Sequence, residues 1–367
     1  MLKLRFSVGT SGSQHFNAYQ AIQTYRYFLD DKYYAWNGSS LIAMGNPDLK
    51  WQQKRDYNIG LDVKLWDNRI TIGGDFYIAK TNDLISTLTL PAANGFTTYI
   101  ENIGSLKNTG YELRLSAYVL RKDQMSWSVS LAGIHNKNKI VEVSQALLDA
   151  QNAIESEALV NPNVQFRPGY SSNTIWTVRS AGIDPGTGKE VFISRDGNRT
   201  YNWSASDIVA TGVSDPKLEG NISSMFRYKG LSLNVSFGYR FGGQIYNSTL
   251  ANKVEVSKTA IGWNVDARVF HDRWKNIGDQ ASFKGLDDFT PTNKTSRFVQ
   301  DETTFRCQNM TLQYELKSQA LNKLLGIDYC LFSASTSDLF YISTVKRERG
   351  TSYPFSRQFS LGVNVVF

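Results

Sequence analysis

Apolar and polar side chains alternate along long stretches of this sequence, the period that sends successive side chains to opposite faces of a β-strand. From Tyr57 onward, Tyr57, Ile59, Leu61, Val63 and Leu65 share one face, and Asn58, Gly60, Asp62 and Lys64 share the other. Trp66-Asp67-Asn68-Arg69 turns the chain. Ile70, Ile72, Phe76 and Ile78 then alternate with Thr71, Asp75 and Tyr77, with Gly73-Gly74 expected as a bend or bulge. The unit recurs where Tyr111, Leu113, Leu115, Ala117 and Val119 oppose Glu112, Arg114, Ser116 and Tyr118. It recurs again from Leu231 to Phe241, from Met310 to Leu316, and in the closing Phe359, Leu361, Val363, Val365 and Phe367. Helical periodicity is nearly absent.

The pattern predicts ten strands, near residues 2–10, 52–66, 69–81, 106–120, 124–136, 217–229, 231–246, 302–316, 326–336 and 356–367, with a short helical connection over Ser318 to Leu325. Short turns at 67–68, 121–123 and 229–230 alternate with long connections at 11–51, 82–105, 137–216 and 247–301. Long strands with one apolar and one polar face, joined by short turns at one end and long loops at the other, are the pattern of an outer-membrane β-barrel. A soluble antiparallel sandwich produces the same alternation. A glycan-binding module of that kind is therefore the alternative reading. Strands longer than the usual five or six residues, aromatic-rich and nearly uncharged apolar faces, and the terminal Phe367 favour the barrel.

Composition narrows the choice. The chain has 367 residues, with 40 Lys and Arg against 33 Asp and Glu, a net charge of +7. Those charges are scattered, without a run of five basic residues, so nucleic acid is not an expected partner. No apolar run approaches the ~20 residues of a membrane helix, and Met1 to Val8 reads as strand and not as a signal peptide. Cys307 and Cys330 are too far apart for a metal or redox pair.

Candidate chemistry is sparse. Gly186-Thr187-Gly188-Lys189-Glu190 fails the phosphate-loop pattern, because Glu190 stands where a Ser or Thr is needed. His15, His135 and His271 are dispersed, and Asp30-Asp31 and Asp287-Asp288 point different ways on extended chain, unlike a glycosidase pair. Neither an enzyme nor a cofactor or metal is expected. A charged side chain facing hydrocarbon costs about 2–4 kcal/mol at the midplane for Lys or Arg. Asp62, Lys64, Asp75, Glu112, Arg114, Asn234, Arg240 and Glu315 are therefore expected to face the lumen. Trp176, Tyr201, Trp203 and Trp263 fall in long loops, where exposed aromatics could stack on a ligand and packing within the loop is the competing role.

Several segments resemble the C-terminal half of the SusC/RagA family, TonB-dependent outer-membrane transporters of Bacteroidetes. They are Asn46-Pro47-Asp48-Leu49-Lys50-Trp51, Glu101-Asn102-Ile103-Gly104, Asn108-Thr109-Gly110-Tyr111-Glu112-Leu113, Asn136-Lys137-Asn138-Lys139-Ile140, Ala181-Gly182-Ile183-Asp184-Pro185 with Thr187-Gly188, Asp215-Pro216-Lys217, Arg273-Trp274 and the closing Phe359 to Phe367. Singly each is weak; together, in family order, they are specific. The resemblance implies that residues 1–367 form about the last ten strands of a 22-stranded barrel in the outer membrane, with plug and N-terminal domains outside them. It implies import of oligosaccharides or peptides, a SusD-type surface lipoprotein as partner, and TonB acting through the part that is missing. Phe359, Leu361, Val363, Val365 and Phe367 resemble the C-terminal signal read by the barrel-assembly machinery. After Ala334 the family's Asn-Leu-Phe is replaced by Ser337-Asp338-Leu339-Phe340.

Overall fold

A computed structural model describes residues 1–13, 21–34, 36–89, 96, 98–155, 162–256, 262, 265–347 and 357–367. In chain order the strands are β1 Leu2–Ser13, β2 Thr24–Tyr33, β3 Trp36–Ala43, β4 Gln52–Leu65, β5 Ile70–Thr89, β6 Thr98–Lys122, β7 Met125–Val143, β8 Thr174–Ile183, β9 Glu190–Ile193, β10 Arg199–Thr200, β11 Ile208–Val213, β12 Leu218–Tyr228, β13 Leu231–Tyr246, β14 Val299–Leu316, β15 Tyr329–Ser337, β16 Tyr341–Ser343 and β17 Phe359–Val366. Ten of them form one antiparallel wall in the order β1-β4-β5-β6-β7-β12-β13-β14-β15-β17, and β16 pairs with β14. These are the ten strands the alternation predicts. The predicted start of the last one, near residue 356, lies outside the described residues.

Register explains why the alternation was so clean. Leu2, Val63, Ile72, Leu115 and Leu131 lie side by side across five strands, and Phe6, Ile59, Phe76, Tyr111 and His135 form another such row. On the other half of the wall Leu231, Tyr314, Phe332 and Val363 align, as do Leu233, Leu312, Ala334 and Leu361. This face is uncovered: Leu4 is 70% exposed, Leu113 56% and Leu361 87%. A sandwich buries its apolar faces against a second sheet. Here the apolar band runs along the wall far beyond the few hundred Å² a soluble monomer exposes, so the wall is barrel wall.

Short turns close one end. Trp66, Asp67 and Asn68 take φ values of 48°, 50° and 63°, and Lys229 one of 50° before Gly230. The expected helical connection forms as α2, Gln319–Leu325, and ends at Gly326 in the left-handed conformation. Gly73 and Gly74 form no bulge, because both continue the ladders to β4 and β6 without a shift. The residue parity of Ile72 and Phe76 is preserved through them, which a single-residue bulge would have broken. Register shifts instead fall at Thr81/Leu84, Ser105/Leu106, Tyr118/Leu120, Ser236/Phe237 and Arg240/Gly243.

The segments predicted as long loops are built. β5 and β6 run on through most of 82–105, and β2 pairs with β3 inside 11–51. Between β7 and β12 come the helix α1, Gln145–Glu155, and a second sheet in the order β10-β9-β8-β11. The best-buried apolar side chains sit here and in 250–298: Val178, Val254, Val269 and Phe298 are wholly inaccessible. The loop module therefore has its own core, while the wall has an apolar outside.

Candidate functional site

The polar face of the wall carries paired charges. Arg5 lies against Asp62, Nε to Oδ2 at 2.8 Å, and reaches Asp75 at 3.0 Å, while Arg114 Nη2 meets Asp75 Oδ2 at 2.6 Å. Four neighbouring strands, β1, β4, β5 and β6, are thus cross-linked. Gly60 leaves the room, since a Cβ there would strike the Asp75 carboxylate and Arg5. Asp62, Asp75 and Arg114 were expected on this face from alternation. Arg5 escaped notice because its partnership depends on the β1–β4 register and not on local spacing. Glu112 lies opposite Asp75 in the β5–β6 ladder, and Lys64 opposite Thr71.

Further round the wall, Arg240 Nη1 pairs with Glu302 Oε2 at 3.0 Å and donates to the Ser214 carbonyl. Asn234 faces Thr311 across the ladder, and Glu315 bonds Lys317 near the α2 end. A concavity of about 610 Å³ opens beside Arg240 and Glu302, lined also by Glu219, Arg306, Gln308 and Tyr341. Alternating polar positions thus gather carboxylates, guanidiniums and amides on one face of the wall.

The loop aromatics divide. Trp176 is buried, with Val178, Phe192 and Ile208 around it and the Tyr170 ring 4.9 Å away edge-on. Trp203 packs against the same cluster, its indole N–H 3.4 Å from the Lys294 carbonyl. Tyr201 is half exposed and donates its hydroxyl to Asp184 Oδ2 at 2.8 Å. Trp263 lies outside the described residues. Trp274, which carries part of the family resemblance but is not among the expected ligand-contacting aromatics, donates to the Pro185 carbonyl at 2.9 Å and lies over Gly188, whose φ of +70° and missing Cβ admit the ring. With Phe270, Phe289, Lys189 and Asp287 it lines a cavity of about 590 Å³.

Two arginines hold this module. The Arg297 guanidinium bonds Glu190 Oε2 at 2.9 Å, both Glu255 oxygens, and the Ser282 carbonyl at 2.7 Å. Burial alone would depress its pKa, but Glu255 and Glu190 together raise it. Arg273 donates to the carbonyls of Val269, Lys284, Val254 and Val256, tying the 254–284 stretch of the loop together. At the C-terminus, Phe359, Leu361 and Val363 lie exposed on the outer edge strand, as does Phe367 beyond it, while Val365 is half-buried.

Comparison with known proteins agrees with the wall. Residues 2–177 match the family model "TonB dependent receptor-like, beta-barrel". TonB-dependent receptor P39 of Formosa agariphila is 24% identical over 100% of this chain and 40% of its own length. TonB-dependent receptor SusC of Bacteroides thetaiotaomicron is 26% identical over 100% of this chain and 37% of its own. The chain is a relative of the TonB-dependent receptor barrels. A solved structure of the RagAB peptide importer in its "closed-closed" state superposes with a TM-score of 0.81 at 24% identity, over 99% of this chain and 40% of that one, and shares the fold. The chain thus spans about 40% of the length of the relatives it matches. Among the described residues no helix is long and apolar enough to cross a membrane, and no group of His, Cys, Asp and Glu is set to hold a metal ion.

Proposed function

We propose that the chain is the C-terminal part of the barrel of a TonB-dependent importer in the outer membrane. Its apolar face would meet lipid, its polar face would line the passage, and its loop module would face outward. The carrying observation is the uncovered apolar band opposite a face of paired charges on the same ten strands. That arrangement is stable where one side is hydrocarbon and the other water. Oligosaccharide is the first cargo class and peptide the second. The exposed Tyr201 and the Trp274 cavity suit sugar rings, and likeness to a peptide importer supports the second class. A SusD-type surface lipoprotein, TonB and the barrel-assembly machinery are the proposed partners, the last through Phe367.

Membrane fractionation tests the frame. The chain should stay with outer membranes through a high-salt wash and enter solution only with detergent; detergent-free solubility would favour the glycan-binding module. Cells lacking the gene should lose uptake of fluorescent oligosaccharides or peptides, and the class lost identifies the cargo.

A further inference from the structure

Beyond the apolar band, on the same outward face and at the long-loop end, the ladders set Arg55, Lys80, Lys107 and Lys139 side by side across β4, β5, β6 and β7. One row nearer the band the aligned residues are Tyr57, Ile78, Thr109 and a fifth cation, Lys137. Strands lie about 4.8 Å apart, so four positive charges stand directly opposite one another, an arrangement that destabilises a sheet unless an anion lies between them. All five side chains are exposed, and neither row contains a carboxylate. Among the described residues none of the five forms an ion pair.

Position supplies the ligand. From Leu65 to Tyr57 the outward face of β4 runs about 26 Å along the strand, roughly 20 Å along the membrane normal at the usual tilt, and Arg55 comes next. The cations therefore sit where hydrocarbon gives way to headgroups, just beyond Tyr57 and Tyr111. At the short-turn edge the corresponding row is Leu65, Ile70, Ala117 and Val129, without charge. We propose that Arg55, Lys80, Lys107, Lys137 and Lys139 bind the phosphate groups of lipid headgroups in the leaflet on the loop side. The inference rests on the membrane reading above. Clustered cations at that depth each add to the attraction for anionic headgroups, and multidentate phosphate contact relieves the repulsion along the row.

The test uses the full chain extracted from outer membranes in dodecyl maltoside and freed of lipid. It is titrated with bisphosphorylated lipid A, with the same lipid dephosphorylated, and with inorganic phosphate, reading the thermal unfolding midpoint. The phosphorylated lipid should raise the midpoint, with an affinity falling about a hundredfold in K80Q/K107Q/K139Q and holding within about threefold in K80R/K107R/K139R. Equal response to the dephosphorylated lipid, equal response to inorganic phosphate, or unchanged affinity in the glutamine variant would overturn the proposal. Should that variant not fold, the wild type decides: binding that survives 0.5 M salt undiminished is not electrostatic and overturns it, and binding lost in salt supports it. A chain that needs no detergent defeats the membrane reading itself, whereas a micelle-bound chain indifferent to phosphate defeats only the lipid site.

Discussion

Leu233 and Asn234 are neighbours in sequence and face different solvents. Leu233 lies in a row with Phe226, Leu312, Ala334 and Leu361, and Asn234 in one with Met225 and Thr311. Leu233→Arg or Val235→Arg should cost about 2–4 kcal/mol and lower the amount of folded protein in outer membranes, while Ser232→Arg or Asn234→Arg should cost about 1 kcal/mol or less. Heat-modifiable gel migration of membrane-extracted protein reads the difference, and equal losses at both pairs would mean that the facing assignment is wrong. Gly60 makes the same point on the polar side. A Cβ there lies 2.7 Å from Arg5 Nη2 and closer still to Asp75, while one at Gly9 meets nothing within 4 Å. Gly60→Val should therefore lower stability by roughly 1–3 kcal/mol and Gly9→Ala by about 0.5 kcal/mol or less, measured by thermal unfolding in detergent.

Elements differ in how far the sequence reveals them. The ten wall strands are legible because each side chain's partner is a solvent, lipid or water, and a period of two records that choice locally. The sheet β8 to β11 is hidden, because its strands bury against one another and against 250–298, so Trp176, Thr177 and Val178 are all buried and the alternation disappears. The ion pairs of the candidate site are half legible. Asp75 and Arg114 declare a polar face, but their meeting with Arg5 depends on register across residues 5 to 114. Arg297 belongs to the same class of long-range contact, and it sits between two nearly inaccessible carboxylates, Glu190 and Glu255. Arg297→Met leaves both charges buried and unpaired, so the loop module should lose about 3–5 kcal/mol. Protease nicking between 250 and 300, with the wall strands intact, is the expected readout. Acid should act on the module more gently. The Thr187 hydroxyl, the Gly186 N–H and the Tyr201 hydroxyl hold Asp184 below the ordinary carboxylate range, and Arg268 holds Asp266 below it. Both groups thus contribute stability above pH about 4 that is lost as the pH falls below that value. Hydrogen exchange at residues 184–189 and 266–271 should be constant from neutrality to about pH 5 and quicken, relative to the intrinsic rate, below about pH 4.

At the scale of the whole molecule the wall has two ends, and lipid cannot satisfy either. β1 pairs only with β4 and β17 only with β15 among the described strands, so each presents a row of backbone groups without partners in the sheet. In hydrocarbon every such group costs several kcal/mol, which is why membrane-spanning sheets close. The apolar residues of both edges are uncovered all the same: Phe6 is 73% exposed and Leu361 87%. An outward apolar face and an open edge are compatible in a membrane only if further strands, from this polypeptide or another, complete the circle. Relatives whose matched part is about 40% of their length have sequence enough to supply them. In native outer membranes the amides of β1 and β17 should therefore exchange as slowly as those of β5 and β6. In the 367-residue chain refolded alone in micelles they should exchange faster, while β5 to β7 keep their protection. Slow exchange at both edges in the isolated chain would show that ten strands close on themselves, giving a narrower pore and a different lumen from the one proposed here.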